Sequence, residues 1–306
     1  VSLSLPQAEV LTAAGGARLR LAIIGVGLIG GSLALALRRA GAVAEIVGCS
    51  RDAAHLQRAC ELGVIDRYHT DPAAAVVGAD LVLLSVPLGA MGNCLRALAP
   101  GLGPQAVVTD AGSAKGCVVT AAREALPADV LPRFVPGHPI AGNERSGVEA
   151  AFESLYRRRR VILTPLAETT PAALARVRAV WEAAGAVVVG MEVEHHDAVL
   201  AATSHLPHVL AYGLVDTLSR WSERDEIFQY AAGGFRDFTR IASSDPVMWR
   251  DICVHNRVAL VDALERYQGD LRLLTEAVRA GDGEALHACF AHARAVRERF
   301  LGTLEP

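Results

Sequence analysis

The sequence predicts an α/β protein in which a doubly wound, mostly parallel sheet is followed by an all-helical domain, and three observations carry that expectation. A glycine turn, Gly25-Val26-Gly27-Leu28-Ile29-Gly30, stands between a short apolar run and an amphipathic stretch. Short continuous apolar runs then alternate with helical stretches to about residue 190, as expected of parallel strands covered on both faces. Beyond residue 193 strand-like runs become scarce and long helical stretches replace them, which marks a second domain.

Residues 1–18 read as an N-terminal extension, because terminal segments are held loosely unless packing fixes them. Residues 21–48 then give strand, glycine turn, helix and strand, the opening of a Rossmann-type dinucleotide-binding unit. Gly25 permits the tight turn, Gly27 lets the backbone approach a pyrophosphate, and Gly30 lets the helix lie close to the strand. Leu28 and Ile29 belong to the same turn, and the helix N-terminus faces the phosphates. Helices at 53–62 and 90–98 alternate with strands at 80–86, 106–110 and 133–136. Ser85, Val86 and Pro87 close the first of these strands, at the sheet edge where open parallel sheets bind ligands, and they join the cofactor-binding set. Strands at 161–164 and 186–189 flank a helix at 171–184 and are expected to extend the same domain, 19–192. Helices at 197–219, 246–280 and 284–301 build the second, 193–306, with Gly281-Asp282-Gly283 as a turn between the last two.

A chain of 306 residues with 52% hydrophobic and 21% charged residues has the material for two folded domains. Its net charge of −3 provides no general attraction to nucleic acid or anionic lipid, so a small-molecule ligand is expected. The six cysteines form no C-x-x-C pair and read as reduced thiols. Neither a signal peptide nor an apolar run of about 20 residues is read, and a soluble cytoplasmic protein without membrane contact is expected. Arg157-Arg158-Arg159-Arg160 reads as a solvated loop or strand edge.

The second strand of the dinucleotide unit delivers Cys49-Ser50-Arg51-Asp52 to the place of an adenosine ribose. NAD binders commonly set an acidic residue there to accept from the 2′-hydroxyl. Ser50 stands at that place, and with Arg51 beside it a 2′-phosphate is well served, which makes NADP the better match. If the strand ended two residues later Asp52 would become the ribose ligand and NAD the cofactor; alternatively Ser50 and Asp52 merely cap the next helix.

Four further segments carry chemistry: Asp110-Ala111-Gly112-Ser113-Ala114-Lys115, Gly137-His138-Pro139-Ile140-Ala141-Gly142-Asn143-Glu144, Ser204-His205-Leu206-Pro207-His208, and Gly233-Gly234-Phe235-Arg236-Asp237-Phe238-Thr239-Arg240 with Trp249 following. The first two follow expected strands, so Ser113 and His138 approach one crevice despite their separation. With the glycine turn, these segments resemble the prephenate and arogenate (cyclohexadienyl) dehydrogenase family, in order from about Leu19 to Asp251.

That resemblance implies oxidative decarboxylation of prephenate, arogenate or both in tyrosine biosynthesis, with His138 as the catalytic histidine and Ser113 as the serine that orients it or the substrate. It implies Arg240 as the arginine that binds a substrate carboxylate, places His205, His208, Glu144, Asp237 and Trp249 in the substrate pocket, and implies a homodimer built through the helical domain. Tyrosine feedback, where it occurs, is expected at the active site. Two histidines without a third ligand make a poor metal site, and no metal is expected. Lys115 follows the serine turn closely enough to touch a phosphate or substrate, and simpler readings stand beside these: Ser113 as a helix N-cap, His138 as a loop histidine, Glu144 and Asp237 as a structural ion pair, and Lys115 as an exposed charge. In His195-His196-Asp197, capping of the first long helix by Asp197 is preferred to a metal site or a proton relay. The rival functions are another two-domain NADP-dependent reductase, acting on hydroxy acids or imines, and a non-catalytic dinucleotide sensor.

Overall fold

The computed structural model describes residues 18–142 and 145–304, without side-chain detail for 302–304. By contacts the chain divides into two compact units, Val1–Arg257 and Val258–Pro306.

Six strands make the parallel sheet of the first unit: β1 (Leu19–Ile24), β2 (Val43–Cys49), β3 (Arg67–His69), β4 (Leu81–Leu84), β5 (Val107–Asp110) and β6 (Phe134–Val135), ordered β3-β2-β1-β4-β5-β6. In β1 the side chains alternate between two cores. Leu21 and Ile23 join Leu33, Leu37 and Trp181 on one face, while Ala22 and Ile24 join Val82, Leu84 and Leu95 on the other. Each fully buried aliphatic side chain of this kind is worth about 1.5–3 kcal/mol, which is why the central runs are apolar at every position. Helices α1 (Leu28–Arg39), α2 (Ala53–Glu61), α3 (Pro72–Ala75), α4 (Leu88–Leu98) and α5 (Gly116–Ala125) connect the strands. The strand order reverses between β1 and β4, so the loops after them diverge and open a crevice.

Several elements differ from expectation for identifiable reasons. β3 has no apolar run, its three residues Arg-Tyr-His being partly or largely exposed at the sheet edge. The strand expected at 133–136 is cut to two residues because Pro136 has no N–H to pair. After it the chain enters a second sheet, where β7 (Gly137–Pro139) pairs antiparallel with β8 (Arg160–Leu163), and β8 pairs parallel with β9 (Val187–Gly190). The strands expected at 161–164 and 186–189 therefore lie in a sheet of their own, with α6 (Pro171–Ala183) between them in sequence.

The first unit continues through α7 (Val193–Leu200), a π-helical turn Ala201–His205, α8 (Leu206–Ser219), α9 (Arg224–Gln229), α10 (Gly233–Thr239), a 3₁₀ turn Arg240–Ser243 and α11 (Pro246–His255). Contrary to expectation, the continuous helical stretch Val193–Ser219 is long and apolar enough to cross a membrane by length and composition. Its His196 and His205 are nevertheless buried within the first unit. The helix expected over 246–280 breaks at Asn256, whose side chain is buried and turned to other work described below. In the second unit α12 (Arg257–Ala280) and α13 (Gly283–Leu304) meet at Gly281, which adopts φ +67, and Asp282 accepts from the Ala285 amide at 2.9 Å. These helices expose apolar side chains, among them Val258, Leu273 and Phe290.

Candidate active site

The crevice begins with the three glycines, each held by a different constraint. Gly25 has φ +95, and a Cβ there would collide with the Ser85 carbonyl. A Cβ on Gly30 would strike Ser85 Oγ and Ile23. A Cβ on Gly27 would meet nothing within 4 Å, so the space before the helix is open to a ligand. Gly27 is also the N-cap of α1; it offers no side-chain cap, and the first turn of the helix holds no acidic residue. The amide groups there are left for an anion, which fits a dinucleotide pyrophosphate. Leu28 is buried under the turn, Ile29 is half-buried, and Val86 and Pro87 follow β4 into the crevice. Ser85 Oγ donates to the Gly25 carbonyl at 2.6 Å, and His55 Nε2 lies 2.6 Å from the Val26 carbonyl. Both side chains brace the glycine loop.

β2 stops at Cys49, so Ser50 is the first residue past the strand. Asp52 is the N-cap of α2, accepting from the Ala54 and His55 amides at 2.9 and 3.2 Å. Ser50 Oγ accepts from the Asp52 amide at 3.3 Å, and Arg51 is exposed.

A buried ion pair joins the crevice to the second sheet. Lys115 and Asp110, both fully buried, are in contact. Lys115 Nζ also donates to the Gly137 carbonyl at 2.6 Å, while Asp110 accepts from the Gly112 and Gly137 amides at 2.7 and 3.1 Å. Lys115 is thus neither an exposed charge nor free to meet a phosphate; it clamps the residue preceding His138. Ser113 lies in the loop between β5 and α5, half-buried and making no hydrogen bond among the described residues. It is not a helix N-cap, since Lys115 holds that place in α5.

His138, in the middle of β7, is 8% exposed. Its Nδ1 lies 2.9 Å from His196 Nε2, and His196 Nδ1 lies 2.8 Å from Asp197 Oδ1. The Asp197 carboxylate accepts from the Lys115 and Gly116 amides at 2.7 and 2.8 Å. Asp197 therefore caps α5 across the fold, not the long helix expected from sequence. Burial acts to raise its pKa, but His196 and the two amides outweigh this and hold it below the usual carboxylate range. An ionised carboxylate only accepts, so a neutral His196 carries its proton on Nδ1 and accepts at Nε2. His138 must then donate from Nδ1, which leaves its Nε2 lone pair free. Burial, and then His196, Lys115 and His205, push the His138 pKa well below 6.5. A ring in this state can accept a proton at neutral pH.

The second cluster comes from the helices after residue 193. His208 stacks on Trp249 at 3.5 Å between ring centroids, and His205 meets the same indole edge-on at 6.1 Å. Burial foremost, together with Arg240, depresses the His208 pKa, which brings Arg240 into the electrostatic surroundings of His208. Arg240 and Arg236 line a cleft of about 350 Å³ with Phe235 and Thr239. His205 in turn acts on His138, so imidazoles link the Arg240 neighbourhood to the β7 histidine. Asp237 is exposed on α10 and forms no ion pair among the described residues. Glu144 lies outside the described residues. α11 is tied to the crevice by Asp251, which accepts from the Gly89 amide at 3.3 Å and is paired with Arg250. Sequence reasoning set aside His196 as a relay and missed Asn256; the His-His-Asp run and a polar break in an apolar helix were the available signals.

Two family models match the chain: the nucleotide-binding domain of prephenate dehydrogenase over residues 33–190, and its dimerization domain over 192–292. The chain belongs to this family. A cyclohexadienyl dehydrogenase of Zymomonas mobilis is 40% identical over 279 residues, covering 90% of this chain and 94% of the relative. Among solved structures of the family, prephenate dehydrogenase from Aquifex aeolicus in complex with hydroxyphenyl propionate and NAD+ shows 39% identity and a TM-score of 0.86, over 93% of this chain and 99% of that one. The arogenate dehydrogenase of Synechocystis shows 28% identity and a TM-score of 0.77, over 92% and 100%.

Proposed function

We infer that this chain is a cyclohexadienyl dehydrogenase of tyrosine biosynthesis, converting prephenate, arogenate or both by oxidative decarboxylation. The observation that carries the reading is the buried His138, whose Nδ1 is engaged by His196, itself held by Asp197, and whose Nε2 lone pair is free among the described residues. The turn that Gly25 and Gly30 hold close to Ser85 leaves Gly27 and the α1 N-terminus to hold a pyrophosphate, and a nicotinamide dinucleotide bound there would supply the hydride acceptor. His138 takes the proton of the ring hydroxyl as the carbon bearing it becomes carbonyl-like, which helps expel carbon dioxide as the ring turns aromatic. Ser113 orients the hydroxyl or the His138 ring. Arg240 holds the side-chain carboxylate with the planar pair of donors that lysine lacks, and His205, His208 and Trp249 enclose the ring.

NADP is the preferred cofactor in this reading, with NAD the alternative. Asp52 spends its carboxylate on the α2 N-terminus, which leaves Ser50 and Arg51 to meet the ribose substituent. The apolar side chains exposed on α12 and α13 suit a homodimer, which sedimentation at graded concentration would reveal. The enzyme works in the cytoplasm, and tyrosine inhibits, if at all, by occupying the substrate pocket. Steady-state assays crossing prephenate and arogenate with NAD and NADP test the reading. Formation of 4-hydroxyphenylpyruvate or tyrosine with cofactor reduction is expected; cofactor binding without turnover of either substrate would overturn it.

A further inference from the structure

We propose that Asn256 is a positioning residue that fixes the His205 ring as a hydrogen-bond donor, its Nε2–H reserved for an oxygen of the bound substrate. The proposal rests on the dehydrogenase reading of the site. Asn256 interrupts the helical run between α11 and α12 and is 5% exposed. Its Nδ2 lies 2.9 Å from the Asp197 carbonyl oxygen and 3.0 Å from His205 Nδ1. A carbonyl only accepts, so the Asn256 atom facing it is the amide nitrogen; the flipped amide would set two oxygens against each other. The second N–H of that nitrogen therefore points to His205 Nδ1, which must accept. A neutral imidazole that accepts at Nδ1 carries its proton at Nε2.

That Nε2 is buried and has no hydrogen-bond partner among the described residues. A buried donor left unpaired is a standing cost, and substrate binding removes it if an oxygen arrives there. The ring is kept neutral by burial foremost, and by His196 and His208 against the opposing pull of Asp197, with its pKa lowered to about 4. Trp249 Nε1 is a second buried donor without an acceptor, on the indole that His205 meets edge-on. His138 and His205 consequently hold opposite tautomers, one presenting a lone pair and the other a proton. Both are anchored on Asp197: His138 through the carboxylate and His196, His205 through the backbone carbonyl and Asn256.

The test is a double-mutant cycle with kcat/KM for prephenate and arogenate as the readout, joined to imidazole nitrogen NMR of the unmodified protein. Asn256→Ala is expected to lower kcat/KM by about 10- to 100-fold, the loss of a buried donor held in register. Glutamine has no tautomers and places an N–H near the position of Nε2. In the His205→Gln background the Asn256→Ala change should therefore cost no more than about threefold. Equal losses in the two backgrounds would reduce Asn256 to a packing residue and overturn the proposal. If the Asn256 variant fails to fold, the NMR decides alone: a pyridine-like Nδ1 and a protonated Nε2 at His205 support the proposal, and the reverse pattern overturns it. Because the spectrum is taken without substrate and the unmodified enzyme is assayed in parallel, absence of all turnover is seen separately as failure of the dehydrogenase reading.

Discussion

His138 and His196 face each other with Nδ1 and Nε2 2.9 Å apart and their rings at 64°. One proton lies between them, and the Asp197 carboxylate behind His196 determines which ring owns it. If His138 takes the substrate proton as proposed, charge builds on its ring and the relay can share it with the anion. His138→Asn removes the acceptor without touching the glycine turn. Turnover is expected to fall by about 10²- to 10⁴-fold, the usual contribution of a positioned base, while cofactor affinity measured by fluorescence titration stays nearly unchanged. Normal turnover in this variant would remove His138 from the role.

The histidines also set a pH dependence whose sign can be worked out. His138 is held well below 6.5 by burial and by its cationic and imidazole neighbours, so kcat/KM should stay level as pH falls through 6.5 and decline only at lower pH. Stability follows a related course. His205 has a folded pKa of about 4 against an ordinary 6.5, so between these values the unfolded chain binds more protons. Stability conferred by the neutral ring is complete above pH 6.5 and is lost as pH falls toward 4, by about 3 kcal/mol for this group. Urea midpoints at pH 7 and pH 5 measure it, and His205→Gln should flatten the difference. A midpoint that does not fall on acidification would contradict the assignment of a neutral buried ring.

On the proposed reading, cofactor choice turns on the residue after β2. Ser50→Asp would then place a carboxylate at the ribose 2′-substituent, accepting from a hydroxyl but repelling a phosphate. The ratio of kcat/KM for NADP over NAD is expected to drop by about 100-fold or more, since like charges in contact cost several kcal/mol. An unchanged ratio would show that Ser50 does not face the ribose.

How far the site was legible depended on how local its causes are. The glycine turn was readable because its spacing between a strand and a helix is local, although what crowds Gly25 and Gly30 is Ser85 just after β4, and the end of β2 just before Ser50 was readable from its apolar run. The parallel sheet was readable from runs such as Leu81–Leu84, buried at every position. The partners of Lys115, His196 and Asn256 were not readable, even where a His-His-Asp run or a polar residue in a helical stretch hinted at a role. Lys115 N meets Asp197 across 82 positions, His138 meets His196 across 58, and Asn256 meets Asp197 across 59. Nothing in the neighbouring residues distinguishes a buried lysine from an exposed one. The same holds for Asn256, whose effect on the helix arises from partners on α7 and in the π-helical turn.

The Lys115–Asp110 pair gives a stability prediction. Both groups are fully buried, and removing one partner leaves the other charge without compensation. Lys115→Met should destabilise the fold by about 3–5 kcal/mol, read from urea unfolding followed by circular dichroism. Because Lys115 Nζ also holds the Gly137 carbonyl, turnover should fall under conditions where the variant is still folded. A loss below about 1 kcal/mol, the range of exposed pairs, would mean the two charges are solvated.

Arg240 closes the argument from the substrate's side. It begins the 3₁₀ turn after α10, borders the cleft with Arg236, and is close enough to His208 to depress that ring's pKa. A carboxylate bound there must match a planar fork, so replacement should be felt in binding more than in chemistry. Arg240→Gln is expected to raise the Michaelis constant for substrate at a cost of about 2–4 kcal/mol, with a much smaller effect on kcat. Arg240→Lys should recover only part of this, because a point charge cannot form both bonds. Arg236→Gln, one helical turn away, serves as the control for general electrostatic attraction and should weaken binding less and in a salt-dependent way. Equal effects of the Arg236 and Arg240 changes, both abolished by salt, would replace a specific carboxylate contact with a diffuse positive field.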